Sequence, residues 1–329
     1  MKLIKVISIN IIIFILCIIS IEFITYKKQL AIEHNHIALE RKGFFFNSLT
    51  LPLKNFKQGM LAAENYNSNS KRIWFRVLDN KYNRDININK KSILLYGCSF
   101  AVGVGLDDNK TFEYFLQKYS KRKVYNRALA GYGIQHMLYA VRNNLNILEQ
   151  KEDFITPEYA VYLFIENHIK RLYRPNDYFD LYLMFYKWNN DKTDLIEFSE
   201  KDILYWHSYY LRNMYLKKYE KSFIYTYNGS IVLTDEMADY TSMFFIQANK
   251  ELKKHFPNIK FIIFVYDGDR CMRKIKQKLE NEGIKIVYLS ELSKINYKNK
   301  KYLQDDMIHP NEKVWEIVTP LFIKETKIL

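Results

Sequence analysis

The stretch Ser92-Ile93-Leu94-Leu95-Tyr96-Gly97-Cys98-Ser99-Phe100 decides the fold. Its apolar run, Ile93 to Tyr96, has the length and the bounding residues of a buried strand. The run stops at Gly97, so Ser99 falls just past the strand's C-terminal end, where open α/β sheets place their ligand sites. Working outward, helical and strand patterns alternate. Helix Thr111 to Tyr119 is followed by a short strand at Val124-Tyr125, helix Ile134 to Leu148 and strand Tyr159 to Ile165. Farther on come helix Tyr240 to His255, strand Ile259 to Tyr266, helix Met272 to Asn281, strand Ile284 to Leu289 and a last helix after Pro310. This alternation predicts a parallel sheet with helices on both faces.

The composition bounds the function classes. The chain has 329 residues, 48% of them hydrophobic, enough for one large α/β domain or two smaller ones. Its net charge of +14 invites a nucleic-acid reading. The joint excess of Lys, Ile, Asn and Tyr points instead to A/T-rich coding, which spreads Lys everywhere, and no nucleic-acid-binding motif is present. A basic surface still favours anionic membranes or acidic polymers. Three cysteines, Cys17, Cys98 and Cys271, suggest no disulfide framework. The nearest approach to a metal pattern, His34-Asn35-His36, lacks a third ligand, so neither metal nor cofactor is expected. Only 10 residues are Gly, and five of them (Gly97, Gly103, Gly105, Gly131 and Gly133) crowd one window. In a chain that otherwise avoids Gly, that window marks a site or a set of tight turns.

Val6 to Thr25 is a nearly continuous apolar run of roughly 20 residues, the length that crosses a bilayer core. Residues 1–26 are therefore expected to be a membrane anchor, with a cleaved signal segment as the alternative. Lys2 and Lys5 flank one side and Lys27 and Lys28 the other, which leaves orientation open. A short N-terminal tail usually stays inside, placing the globular domain outside the cytoplasm. Residues 27–90 read as a linker with an edge element at Arg72 to Leu78, and 91–329 as the main domain. Within it, an insertion at 169–238 is crowded with aromatics, among them Tyr178, Phe179, Tyr182, Trp188, Tyr205 and Trp206. It is too apolar for a disordered linker. It reads as a small helical subdomain with its own core, or as a cap over the sheet edge.

Two phosphate-loop readings fail on spacing. Asp108 stands where the third Gly after Gly103-Val104-Gly105 would be, and Lys110-Thr111 lacks the preceding Gly of a P-loop. A different set of residues carries chemistry. Asp306 and His309 are three positions apart just before an amphipathic stretch, so one turn can hold a carboxylate against an imidazole, and that imidazole can serve a serine hydroxyl across the sheet edge. Cys98 is the alternative nucleophile, although it would displace Ser99 from its place after the turn.

Two further blocks complete a pattern. Asn126-Arg127-Ala128-Leu129-Ala130-Gly131-Tyr132-Gly133 follows the second strand, and Phe164-Ile165-Glu166-Asn167-His168 ends the third. With Gly97-Cys98-Ser99 and Asp306-x-x-His309, they resemble the SGNH hydrolase superfamily, also called GDSL-type esterases and lipases, over Lys91 to Phe322. The resemblance implies a three-layer α/β/α sandwich, with a central parallel sheet of about five strands in the flavodoxin-like order 2-1-3-4-5. It implies Ser99 as nucleophile, Asp306 and His309 as the rest of a catalytic triad, and an oxyanion hole from Ser99, Gly131 and Asn167. Cys98 replaces the family's Asp in Gly-Asp-Ser, and His168 stands where an Asp usually follows the Asn. The implied activity is ester hydrolysis on an acylated glycan or small ester. The same residues also suit an O-acyltransferase acting with envelope polysaccharide machinery, or a non-catalytic glycan-binding or scaffolding module.

Overall fold

A computed structural model describes residues 91–128, 131–149, 154–173, 186–189, 191, 193–197, 224–225 and 231–328. Strand β1 (Ser92–Tyr96) is followed by the short helix α1 (Ser99–Val102), α2 (Phe112–Ser120), β2 (Lys123–Asn126), α3 (Ile134–Glu149), β3 (Pro157–Phe164) and α4 (Asn167–Tyr173). Two hairpins come next, β4 (Tyr186–Trp188) with β5 (Leu195–Glu197) and β6 (Ile224–Tyr225) with β7 (Ile231–Val232). The chain then runs through α5 (Asp235–His255), β8 (Lys260–Val265), α6 (Asp269–Asn281), β9 (Lys285–Tyr288), α7 (Leu289–Leu292) and α8 (Glu312–Thr326).

The main sheet has five strands in the order β2-β1-β3-β8-β9, every pairing parallel. Counted among its own strands this is 2-1-3-4-5, the expected order. Alternate residues of each strand enter opposite cores. Leu94, Tyr96, Tyr162, Phe164 and Ile263 pack toward α3, α5 and α6, while Ile93, Leu95, Val161, Leu163 and Phe264 pack toward α2 and α8. A sheet buried on both faces needs nearly continuous apolar strands, which is how Ile93–Tyr96 and Tyr159–Ile165 read in the sequence.

Element boundaries shift by a few residues for identifiable reasons. Thr111 does not open a phosphate site; it caps α2, its Oγ1 accepting from Tyr114 N at 3.1 Å. Thr234 caps α5 in the same way, which starts that helix earlier than the expected Tyr240. Lys110 is held by Asp107 at 2.9 Å.

The insertion expected at 169–238 is described only in part. Its first residues continue α4, and its last belong to α5. Between them the described pieces are hairpins, not helices. Asn189 and Asp191 make the first turn, both accepting from Thr193 N (2.9 and 3.1 Å), a local bonding pattern that competes with a helix. This hairpin shares the main core: Leu195 is fully buried, Arg142 on α3 donates to Leu195 O at 2.7 Å, and Gln247 on α5 donates to Thr193 O. Most of the insertion's aromatics lie outside the described residues. So do the expected anchor at 1–26 and the linker at 27–90. Among the described residues, no helix is long and apolar enough to cross a membrane.

Candidate active site

The parallel order sends the ends of β2, β1 and β3 to one edge of the sheet, about 5 Å apart from strand to strand. The turn after β1 is tight. Gly97 has φ +148, and a Cβ there would lie 2.9 Å from Ala101 Cβ and 3.1 Å from Leu163 O, so only glycine fits without displacement. Two residues later Ser99 opens α1 with its side chain almost buried. The amide N–H of Ser99 makes no hydrogen bond among the described residues, as befits the first residue of a helix.

His309 reaches this turn from the loop before α8. Its Nε2 is 2.8 Å from Ser99 Oγ, and its Nδ1 is 2.5 Å from Asp306 Oδ2. Asp306 Oδ1 also accepts from Ile308 N and His309 N, both at 2.9 Å, so the carboxylate shapes the turn that carries the imidazole. Met307 takes a left-handed φ of +60 to close that turn. Burial alone would raise the Asp306 pKa. The hydrogen bonds from the His309 ring and the two amides outweigh it and hold the carboxyl at about 2. Asp306 is therefore ionised at neutral pH. The structure thus brings Ser99, His309 and Asp306 together in the order required of nucleophile, base and orienter.

Gly131 lies between β2 and α3, and Asn167 follows β3. Gly131 is buried at φ +86, and its N–H has no partner among the described residues. Asn167 is exposed at the first position of α4, and its amide likewise makes no hydrogen bond among the described residues. Both are donors without an acceptor on the edge that Ser99 occupies. The alternative nucleophile, Cys98, is fully buried, with Sγ 3.9 Å from Ser99 Oγ; the imidazole faces the hydroxyl.

His168 is a core residue. Its Nδ1 is 2.9 Å from the Tyr162 hydroxyl, its ring packs edge-on against Tyr162 and Phe164, and it is wholly buried. Burial, reinforced by Arg171 and His136, pushes its pKa well below the usual value and keeps it neutral. It occupies the position after Asn167 without entering the site. Among the described residues, no three His, Cys, Asp or Glu are grouped to hold a metal ion.

Sequence reasoning missed the residues that support the site. Phe100 packs its ring 5.1 Å from that of His309, with Tyr266 behind it at 5.2 Å. Asn126 ties three elements together: Nδ2 donates to Ala101 O (3.0 Å) and Glu113 Oε2 (2.9 Å), and Oδ1 accepts from Ala128 N (3.0 Å). Glu113 is buried, and desolvation raises its pKa to about 8 against the lowering effect of the Asn126 bond. Gln304 is bonded to both the turn after α1 and the His309 loop. Asn126 opens the block that follows the second strand; nothing in the sequence marks Phe100 or Gln304.

No protein-family model matches the chain, and the search of curated proteins found no match. Solved structures do match. An acetyl xylan esterase (Est2A) from the rumen bacterium Butyrivibrio proteoclasticus shares 12% identity over 74% of this chain and 66% of its own, with a TM-score of 0.42. A member of the lipolytic G-D-S-L family from Veillonella parvula shares 12% over 73% of this chain and all of its own, at 0.41. A family two carbohydrate esterase from Clostridium thermocellum, solved with cellohexaose, shares 8% over 74% and 66%, at 0.42. The chain spans just under two thirds of the two carbohydrate esterases. Their names describe those proteins.

Proposed function

We propose that this chain is a serine-dependent acyl-ester hydrolase, with an acylated envelope glycan or a small ester as substrate. The observation that supports this best is the continuous path from Ser99 Oγ through His309 to Asp306, at 2.8 and 2.5 Å. Ser99 Oγ attacks the ester carbonyl as His309 Nε2 takes its proton, while Asp306 holds the ring with Nε2 free to accept. The oxyanion is bound by the N–H groups of Ser99 and Gly131 and the Asn167 amide. As the intermediate collapses, His309 returns the proton to the departing alkoxide and leaves Ser99 acylated. Water, deprotonated by His309, then attacks the acyl carbon and releases the acid and free Ser99.

Residues 1–26 are proposed to anchor the protein, with the catalytic domain outside the cytoplasm. Protease added to spheroplasts then digests the domain and leaves a small membrane fragment; protection until lysis overturns that orientation. The acceptor is tested directly. Purified protein is given p-nitrophenyl acetate, with and without a neutral oligosaccharide, and the products are identified by mass. Free acetate supports the hydrolase; acetylated oligosaccharide, formed at the expense of acetate, reassigns the chain as an O-acyltransferase. Absence of any turnover and of any Ser99 acylation leaves only a non-catalytic binding or scaffolding module.

A further inference from the structure

Ser99 opens α1 and His309 lies on the loop before α8, and a 2.8 Å contact between them requires that these two segments keep a fixed spacing. The Gln304 side chain hydrogen-bonds across the gap. Gln304 Nε2 spends both of its hydrogens on backbone carbonyls, one on Val104 O (2.8 Å) in the turn after α1, the other on Pro310 O (2.9 Å) just past His309. Its main chain holds the other side of the same loop: Gln304 N donates to His309 O at 2.8 Å, and Gln304 O accepts from Met307 N at 3.0 Å. On the nucleophile side, Val104 N donates to Ser99 O at 3.0 Å. A short relay of hydrogen bonds therefore runs from the backbone of Ser99, through Val104 and the Gln304 amide, to the backbone of His309.

The opposing turn is shaped to receive this amide. Gly105, at φ +80, faces Gln304 so closely that a Cβ there would lie 2.0 Å from Oε1. Any side chain at 105 displaces the Gln304 amide or the turn. We infer that Gln304 is a positioning residue, which sets the distance between the nucleophile and its base by bolting the Asp306–His309 loop to the turn after Ser99, with Gly105 as the space that admits it. The inference rests on the proposed hydrolase reading and adds a residue outside the triad and the oxyanion donors. Gln304 acts through the spacing of two other residues, so its loss falls on the chemical step and not on substrate affinity. Misplacement of reacting groups by an ångström costs up to roughly 100-fold in rate.

The test uses the full chain, p-nitrophenyl acetate as substrate, and a fluorophosphonate probe for Ser99. Gln304→Met keeps the length and removes the amide; Gln304→Glu keeps the shape and sets a carboxylate against two carbonyls. Each is expected, in protein that remains folded, to lower kcat by roughly 10- to 100-fold, to slow labelling of Ser99 in parallel, and to leave KM within about twofold. Gly105→Ala is expected to lower kcat in the Gln304 background. It should add much less in a Gln304→Ala background, where the shorter side chain no longer meets the new Cβ. If wild type is labelled and active but both Gln304 variants keep its kcat, the positioning role is wrong while the hydrolase reading stands. A rise in KM with kcat unchanged overturns the positioning role as well. If one variant does not fold, the other and the Gly105→Ala pair decide. Wild type that is neither labelled nor active refutes the hydrolase reading itself.

Discussion

Ser99 and His309 are 210 residues apart in the chain, and their Oγ and Nε2 atoms are 2.8 Å apart in the fold. The parallel sheet accounts for this closeness, because every strand delivers its following loop to the same edge. The contact also sets an order of losses. His309→Ala should bring kcat close to the floor set by Ser99→Ala, since an unassisted hydroxyl is a poor nucleophile at neutral pH. Asp306→Ala should cost less, because the imidazole remains while its tautomer and orientation are released. Steady-state kinetics on an activated acetate ester checks the order; Asp306→Ala falling below His309→Ala contradicts the roles.

Asn167 carries a side-chain amide that has no acceptor among the described residues, on the edge where an oxyanion would form. Its replacement by Ala is expected to lower kcat by roughly 10²- to 10³-fold with little change in KM, the signature of a donor used mainly in the transition state. A rise in KM at constant kcat would make Asn167 a ground-state substrate contact instead.

Glu113 gives a stability effect with a definite sign. Burial raises its pKa from 4.5 to about 8, so the folded protein keeps a proton that the unfolded chain releases above 4.5. The stabilisation is complete below about pH 4.5 and is lost as pH rises toward 8. Glu113→Gln mimics the protonated form that accepts from Asn126. Its urea midpoint should exceed that of wild type at about pH 8, and the decline from about pH 5 to 8 should flatten. Parallel declines in the two proteins would place the titrating group elsewhere.

Asp306 behaves in the opposite direction. Its pKa is held at about 2, below the ordinary 3.8, so its contribution is fully present above about pH 4 and disappears as pH falls through 2. The advantage of wild type over Asp306→Asn in urea melts should therefore be constant from about pH 7 to 4 and shrink below that. Asp306 stays ionised across this upper range, so an acid limb of activity lying above about pH 4 belongs to another group. A stability gap that closes between about pH 7 and 5 would contradict the assignment.

Much of this was legible in the residues, for a physical reason. Strands buried on both faces must be continuous and apolar, so Ile93–Tyr96, Tyr159–Ile165 and Ile259–Tyr266 announce themselves, and Gly97 marks the turn because no other residue fits it. Asp306 and His309 were readable because their contact is local, within one turn. What the sequence hides is long-range. Gln304 is an ordinary polar residue until the fold brings Val104 within 2.8 Å, and Phe100 looks like core until His309 packs on it. His168 stands where the family's Asp follows the Asn, and its side chain is directed into the core against Tyr162. The hairpin at Tyr186–Glu197 was missed because a three-residue strand carries too little periodicity to be seen.

Every role assigned above depends on Ser99 being a nucleophile activated by His309, and covalent labelling reads that property without a choice of substrate. Wild type, Ser99→Ala and Cys98→Ala are incubated with a fluorophosphonate, and the adduct is mapped by peptide mass. One adduct is expected, on Ser99, lost in Ser99→Ala and retained in Cys98→Ala, because the buried thiol lies beside the hydroxyl without sharing its base. Folded Ser99→Ala protein that is still labelled in this loop, or that turns over an activated ester as fast as wild type, would refute the assignment.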